Sequence, residues 1–543
     1  GEQRQNHQWK FTKYDTLNRP VMTGIWEDNK QMQTQKVVQQ YVYQQMNRFA
    51  EEEGTQLLGY SNRAFPKLDI APTEGDTIHT VTHYDDYNFM ASEQAEVEGH
   101  PIDAYLKEKV YSFNEKDLMV TAPVGQVTGT YTRVLGTDGV FHLTVNAYDD
   151  KNQNIAIYQE HYPESYNVVL NKFNFVGEIK HSRTIHKKDR SSGAIRMDTY
   201  MDYDHAGRPI NKWHELNGKD SVLVAHIDYN ELGKQVAKNI HSRDAGNHFL
   251  QEVNYRYNIR GWMTQINNPD EMGDDLFGMK LGYNTDIGLN AKAQFNGNIS
   301  AMRWKNGDNT AKGYGFSYDS YNRLTQADYK VHHSTWENSN RYNLNQVTYD
   351  ANGNITSLSR NGNDGKTIDE LEYDYGNTNQ LRKVTDYGKQ PGIGFYDGAN
   401  QEYEYDYDAN GNMDRDRNKG LKITYNALNL PKTVVSDSNE ISYLYSANGQ
   451  KLARMVSGIH TDTTYYMGSF QYKNGELNQI FTSEGRVRYD AATGEFNYDY
   501  YLKDHLGVNI YLPTSLRSVH GFKEYHLFPK KYVEGGTGKV IKI

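Results

Sequence analysis

The chain contains no cysteine. Disulfides, thiolate metal sites and cysteine nucleophiles are therefore excluded, and cysteine usage leaves the compartment open. No apolar run reaches the roughly 18 residues a membrane-spanning helix needs, so no transmembrane helix is expected. Basic charge is also in short supply. Lys and Arg number 59 against 69 Asp and Glu, for a net charge of -10. Nucleic-acid binding needs clustered cations on phosphates, and this balance argues against it. Oily material is scarce as well, at 37% hydrophobic residues with a mean hydropathy of -0.87. The first residue is Gly1 and no signal-peptide pattern follows, so the numbering is expected to describe a processed or truncated product.

What the chain has is tyrosine, 45 of them in 543 residues. A tyrosine ring packs on a pleated surface while its hydroxyl reaches water or a polar partner, which suits sheets wet on at least one side. Length alone would suggest several domains, but internal repeats favour one continuous body. YDANGN at Tyr349 returns as YDANGN at Tyr407, YSANGQ at Tyr445, YDSYNR at Tyr318, YDHAGR at Tyr203 and YDTLNR at Tyr14. Looser copies begin at Tyr148, Phe173, Tyr229, Tyr257 and Tyr425.

In each copy the first-corner Asp can accept backbone hydrogens and the Gly can adopt a left-handed conformation, as a short bulged hairpin loop requires. The candidate turn residues are Asp350, Asn352, Gly353, Asp408, Asn410, Gly411, Asn448 and Gly449. Between turns the pattern has period two. In QEYEYDYDANGN, Tyr403, Tyr405 and Tyr407 share one face while Glu402, Glu404 and Asp406 take the other.

The fold expected is mainly β, a long antiparallel ribbon with one N-terminal helix. Residues 1–70 form an N-terminal segment whose helix, from Met32, Val38, Tyr41, Val42, Gln45 and Phe49, spans about 28–53, and the run Glu51 to Glu53 reads as solvated. Residues 71–200 form a β-rich entry region, 201–510 the repeat array and 511–543 an atypical, locally basic tail. Residues 269–312 read as an insertion or long loop.

These repeats resemble the YD repeats of bacterial Rhs proteins over most of residues 140–510. The segment Tyr500 to Gly507, YYLKDHLG, is similar to the one that opens the Rhs-associated core region, with Asp504, His505, Leu506 and Gly507 as its motif and Val508–Asn509 in place of the usual Asn-Val order. Residues 470–490 are of the same type. The resemblance implies that the ribbon spirals into a hollow, possibly partial, shell that in relatives encloses a toxic C-terminal domain. The chain departs from that pattern after the motif. No Asp-Pro-x-Gly segment follows, so neither self-cleavage nor a toxin is implied.

The function expected is therefore that of a non-enzymatic shell scaffold, secreted or on the outer cell surface, that encloses a polypeptide cargo or joins a partner chain completing the shell. The alternative is a surface interaction protein binding glycans or proteins through exposed tyrosines, possibly within an outer-membrane secretion or adhesion assembly.

No catalytic residue, cofactor or metal site is expected. His79 and His83 lie in a strand-like HTVTH, and His505 beside Asp504 reads as a turn and packing residue. Asp408, Asn410, Asn412 and Asp414 alternate like a calcium loop, but their Gly411 is misplaced for one. Gly535 to Val540 lacks the spacing of a phosphate loop, and the pairs Asp85–Asp86 and Asp274–Asp275 do not by themselves make a glycosidase.

Overall fold

The computed structural model describes residues 7–513, apart from 29–33, 46–49, 69–76, 94–95, 117, 307–309, 389, 391, 400 and 508. Most of the 511–543 tail, including Gly535 to Val540, thus lies outside the described residues, as do Met32 and Phe49. The described residues put 51% of the chain in strands and 6% in helices, and among them the long sheet does not close into a barrel.

Strand follows strand by hairpins, each pairing antiparallel with its neighbours. A sheet of 23 strands runs from Gln8–Tyr14 to Lys383–Asp386, and one of 12 strands from Tyr405–Tyr407 to Asn509–Pro513. The break between them is small, because Glu404 N still donates to the Arg382 carbonyl at 2.8 Å. The ribbon then meets itself. Val134 and Ser446 form an isolated bridge, Leu135 N donates to Tyr445 O and Ala447 N to Arg133 O, each at 2.8 Å.

Three apolar clusters hold this arrangement, the smallest of them, Leu371, Val384 and Tyr405, at the break between the sheets. Another gathers the entry strands under the helix Ile102–Asn114. The third joins strands of the array, through Met279, Trp304 and Tyr314, to the terminal sheet, through Phe470, Ile480 and Tyr500.

Several local expectations need correction. The N-terminal helix occupies Gln35–Gln45, and Glu53–Leu57 is already a strand. Glu51 is buried, accepting from Lys13 Nζ and Ser61 Oγ at 2.8 Å and from Arg63 N at 3.0 Å. Burial of both charges with mutual hydrogen bonds explains why Glu51 leaves the solvent, while Glu52 and Glu53 stay exposed as expected. There is more than one helix. Ile102–Asn114 buries Ile102, Tyr105, Leu106, Val110 and Phe113, a helical spacing, and ends at Glu115 in the left-handed region. Residues 269–312 are not one loop, because Phe277–Gly282 and Ala301–Asn306 are core strands with Phe277, Met279 and Trp304 fully buried. Glu404, beside the strand Tyr405–Tyr407, is buried, accepting from Val384 N at 3.0 Å and Asn418 Nδ2 at 2.8 Å.

Candidate functional site

The repeat turns share one hydrogen-bond pattern. At Asp350 the backbone N donates to Asn354 O at 2.9 Å and Gly353 N donates back to Asp350 O at 3.2 Å. The Asp350 carboxylate accepts from Asn354 N and from Asn354 Nδ2, both at 2.8 Å. Asp408 repeats this with Asn410 N, Asn412 N and Asn412 Nδ2, all at 2.9 Å. Ser446 does so with its hydroxyl, which accepts from Gln450 N at 3.1 Å and donates to Asn448 Oδ1, while Gly449 N closes the turn at 2.9 Å. Gly353, Gly411 and Gly449 all have φ between 85° and 93°. Asn18, Asn152, Asn322 and Asn429 take the same place at φ near 60°, as the two residue types that tolerate this conformation should.

Asn352 and Asn410 link one turn to the next, donating to Asn379 Oδ1 at 3.1 Å and to Asn429 Oδ1 at 2.9 Å. The tyrosine of each repeat makes a longer stitch. Its hydroxyl donates to the carbonyl just beyond the preceding turn: Tyr203 to Ile179, Tyr229 to Pro209, Tyr257 to Gln235, and Tyr349 to Leu324, at 2.6 to 3.0 Å. Where Arg follows the turn it pairs with the turn's Asp and lies over the next tyrosine. Arg19 pairs with Asp15 and covers Tyr84 at 4.3 Å, and Arg323 pairs with Asp319 and covers Tyr349 at 4.5 Å. Neighbouring repeats are thus locked on one edge of the ribbon by phenols, reinforced in some copies by a cation and in others by an amide.

This use of the carboxylates ties them to their own turns. Asp350 is held below the usual carboxylate range by the Asn354 side chain and the turn's N–H groups. At Asp408, burial alone would raise the carboxyl, but the Asn412 side chain and the turn's N–H groups outweigh it. Both Asp408 oxygens face its own turn and Asn412 presents its N–H group there, so the alternating residues 408–414 do not converge on a cation.

The segment Asp504 to Gly507 is a further turn of this kind. Asp504 Oδ1 accepts from Leu506 N at 2.8 Å, Gly507 N donates to Asp504 O at 3.1 Å, and Gly507 has φ 77°. Asp504 is buried, Leu506 is exposed, and burial lowers the pKa of His505. The other pairs separate. Asp85 takes Arg19 in a two-pronged contact while Asp86 caps Asn88 N at 2.9 Å. Asp275 is pushed up to about 6 by burial and by Glu252 and Asp274, and it accepts from Gln251. His79 and His83 are buried in the strand Thr77–Tyr84, with His83 stacked between Tyr60 and Phe89 at 4.9 and 4.2 Å.

A second constellation escapes sequence reading altogether. His142, His161, His186, His214 and His241 sit near the strand ends opposite the repeat turns. Three of them touch the terminal sheet: His186 stacks on Phe470 at 3.9 Å, His214 lies 6.2 Å from Tyr498, and His241 Nδ1 is 2.9 Å from the Tyr500 hydroxyl. Their partners lie hundreds of residues away, 286 for His186 and Tyr472, so no local motif could mark them.

No protein-family model matches the chain, and no curated protein matches it in sequence. Among solved structures it is similar to a chain in the crystal structures of TcdB2–TccC3–Cdc42 and of TcdB2–TccC3, each at TM-score 0.41 and 13% identity, covering 93% of this chain and 30% of that one. It is similar also to a chain of the Photorhabdus luminescens Tc holotoxin pore at TM-score 0.33 and 10% identity, covering 93% of this chain and 29% of that one. The chain therefore spans less than a third of the length of these chains.

Proposed function

We propose that the chain is a non-enzymatic scaffold, a length of wound β-ribbon that forms the wall around, or the carrier of, a polypeptide cargo outside the cell that makes it. The observation behind this reading is the return of the ribbon onto itself at Val134 and Ser446, which gives a single sheet curvature and an inner side. The repeat motifs and the Asp504 to Gly507 segment support it, since the proteins they resemble use such ribbons as shells. A partner chain would complete the wall. Cryo-electron microscopy of the protein from its native source, with mass spectrometry of what co-purifies, tests the reading. Extra density inside the curve with a matching polypeptide supports it, and a solvent-filled curve with no associated chain refutes it.

A second reading is favoured by one observation. The tips of the repeat turns carry exposed apolar side chains, Leu17, Phe175, Leu232, Ile259 and Tyr321, which follow one another along one edge. An apolar rim of this kind suits a protein or glycan partner at the cell surface. Pull-down that is lost on changing these tips to Ser, with the interior empty, would select it.

A further inference from the structure

The five histidines opposite the repeat turns differ in their surroundings from three others in the array. His181, His226 and His248 each lie within 3.3 Å of a carboxylate, that of Asp198, Asp228 and Asp244 respectively. No carboxylate ion-pairs with His142, His161, His186, His214 or His241. The groups facing them are His142 and Asn167 for His161; Asn167, His161, Phe470 and Tyr472 for His186; Lys212 and Glu484 for His214; and Arg243, Tyr498 and Tyr500 for His241. Lys188 lies over the Tyr472 ring, and Asp189 acts on that phenol from the same side. Glu484, the one acid near His214, is already paired with Lys238.

The centre of this line is a chain of four side chains. Asn167 Nδ2 is 2.9 Å from His161 Nε2, Asn167 Oδ1 is 2.7 Å from His186 Nδ1, and His186 Nε2 is 2.9 Å from the Tyr472 hydroxyl. An amide offers an acceptor on one side only, so whichever way Asn167 is turned, one of the two imidazoles must accept and stay neutral. The backbone of the terminal sheet packs closely against this pair. At Gly468, in the turn leading to the strand Phe470–Lys473, an added Cβ would lie 2.8 Å from Asn167 Nδ2 and 3.4 Å from His161 Nε2.

We propose that the line where the terminal sheet meets the ribbon is an acid-opened seam: protonation of His161 and His186 parts the strand Phe470–Lys473 from the ribbon while the turn-edge ladder stays closed. Burial pushes the pKa of His161 down to about 4 and that of His186 to about 3. The open seam returns both to the ordinary value of 6.5. A lowered folded pKa means that the closed form loses stability as pH falls from 6.5 towards 4, and loses none above 6.5. At about pH 5 each exposed histidine favours opening by about 30-fold. The device concerns two parts of one chain and does not depend on a cargo. Seam opening in an empty ribbon would support it while the container reading failed.

The test is regional hydrogen exchange on the full chain at about pH 7.5 and about pH 5, corrected for intrinsic rates. Protection is expected to fall at acid pH in residues 463–502 and in Asn154–His161 and Ile179–Lys187, and to persist in the turns at Asp204 and Asp350. Asn167→Asp gives both imidazolium ions a counter-charge and is expected to keep the seam closed at about pH 5, and the pair His161→Gln and His186→Gln is expected to abolish the response. Unchanged protection of the native seam at about pH 5, loss of protection everywhere at once, or opening of Asn167→Asp at the native pH would each overturn the proposal. Should the double variant fail to fold, Asn167→Asp and the regional pattern of the native chain still decide it.

Discussion

Tyr349→Phe isolates what the repeated tyrosine does. The change removes the hydroxyl that donates to the Leu324 carbonyl at 2.6 Å and leaves the ring beneath Arg323. A neutral hydrogen bond of this kind contributes about 1 kcal/mol net. In a single local opening equilibrium that is about fivefold. Thermal melting is a poor assay, because an array sums local terms and an unfolding entropy of about 2 cal/mol/K per residue, over so long a chain, reduces the shift to about 1 °C or less. Native-state hydrogen exchange reads the opening directly. The strands Leu324–His332 and Leu344–Tyr349 are expected to exchange about fivefold faster, by the same 1 kcal/mol, with distant repeats unchanged. Tyr321→Phe is the control, since its ring sits exposed at a turn tip with no stitch to a neighbour. Equal effects from the two changes, or none from Tyr349→Phe, would refute the ladder as a source of stability.

Gly353→Asn should be nearly neutral, because Asn occupies the same turn position at Asn18, Asn152, Asn322 and Asn429, whereas Gly353→Val should cost more than about 1 kcal/mol, read by urea unfolding. Glu51→Gln leaves Lys13 buried without its counter-charge and is expected to cost about 3 kcal/mol locally, seen as faster proteolysis within residues 51–68. Asp198 is buried among His181, Arg183 and Arg196, whose combined pull outweighs the burial that would otherwise raise its pKa and holds the carboxyl below 3.8. Its contribution is present above that value and lost as pH falls through the lowered one. Asp198→Asn should therefore cost about 2 to 3 kcal/mol near neutral pH, allowing for the part-exposed guanidinium groups, and much less near pH 3. Urea midpoints at the two pH values check this.

The turns were legible because their code is local. A carboxylate at Asp350 reaches its own chain two and four residues on, so the spelling alone carries the geometry. The tyrosine alternation pointed to sheet in the same way. What failed was whatever depends on distant partners. Glu51 looked like part of a solvated run because Lys13 is 38 positions away. The strands Phe277–Gly282 and Ala301–Asn306 were hidden by the Asn and Gly around them, although they bury Trp304. The helix Ile102–Asn114 did carry a signal, apolar residues at helical spacing from Ile102 to Phe113, which the alternating stretches on both sides overshadowed. Histidines scattered one per strand give no sequence signal, and only the meeting of ribbon and terminal sheet makes them a line.

Two kinds of joint therefore hold this molecule, and their chemistries respond differently to acid. The repeat ladder is built from carboxylates kept ionised by their own turns, with Asp204 pulled to about 2 by Arg208, and from phenols that burial pushes upward, so these groups keep their charge states between about pH 5 and 8. The seam holds an amide between two imidazoles, one of which must stay neutral to accept its hydrogen bond. In a ribbon whose strands pair mainly with their sequence neighbours, local stabilities are set by whichever groups join those strands. Mild acid thus acts selectively. It leaves the along-ribbon joints intact and loosens a place where the ribbon meets its own end, which is where a wall must part if it is to open without unfolding.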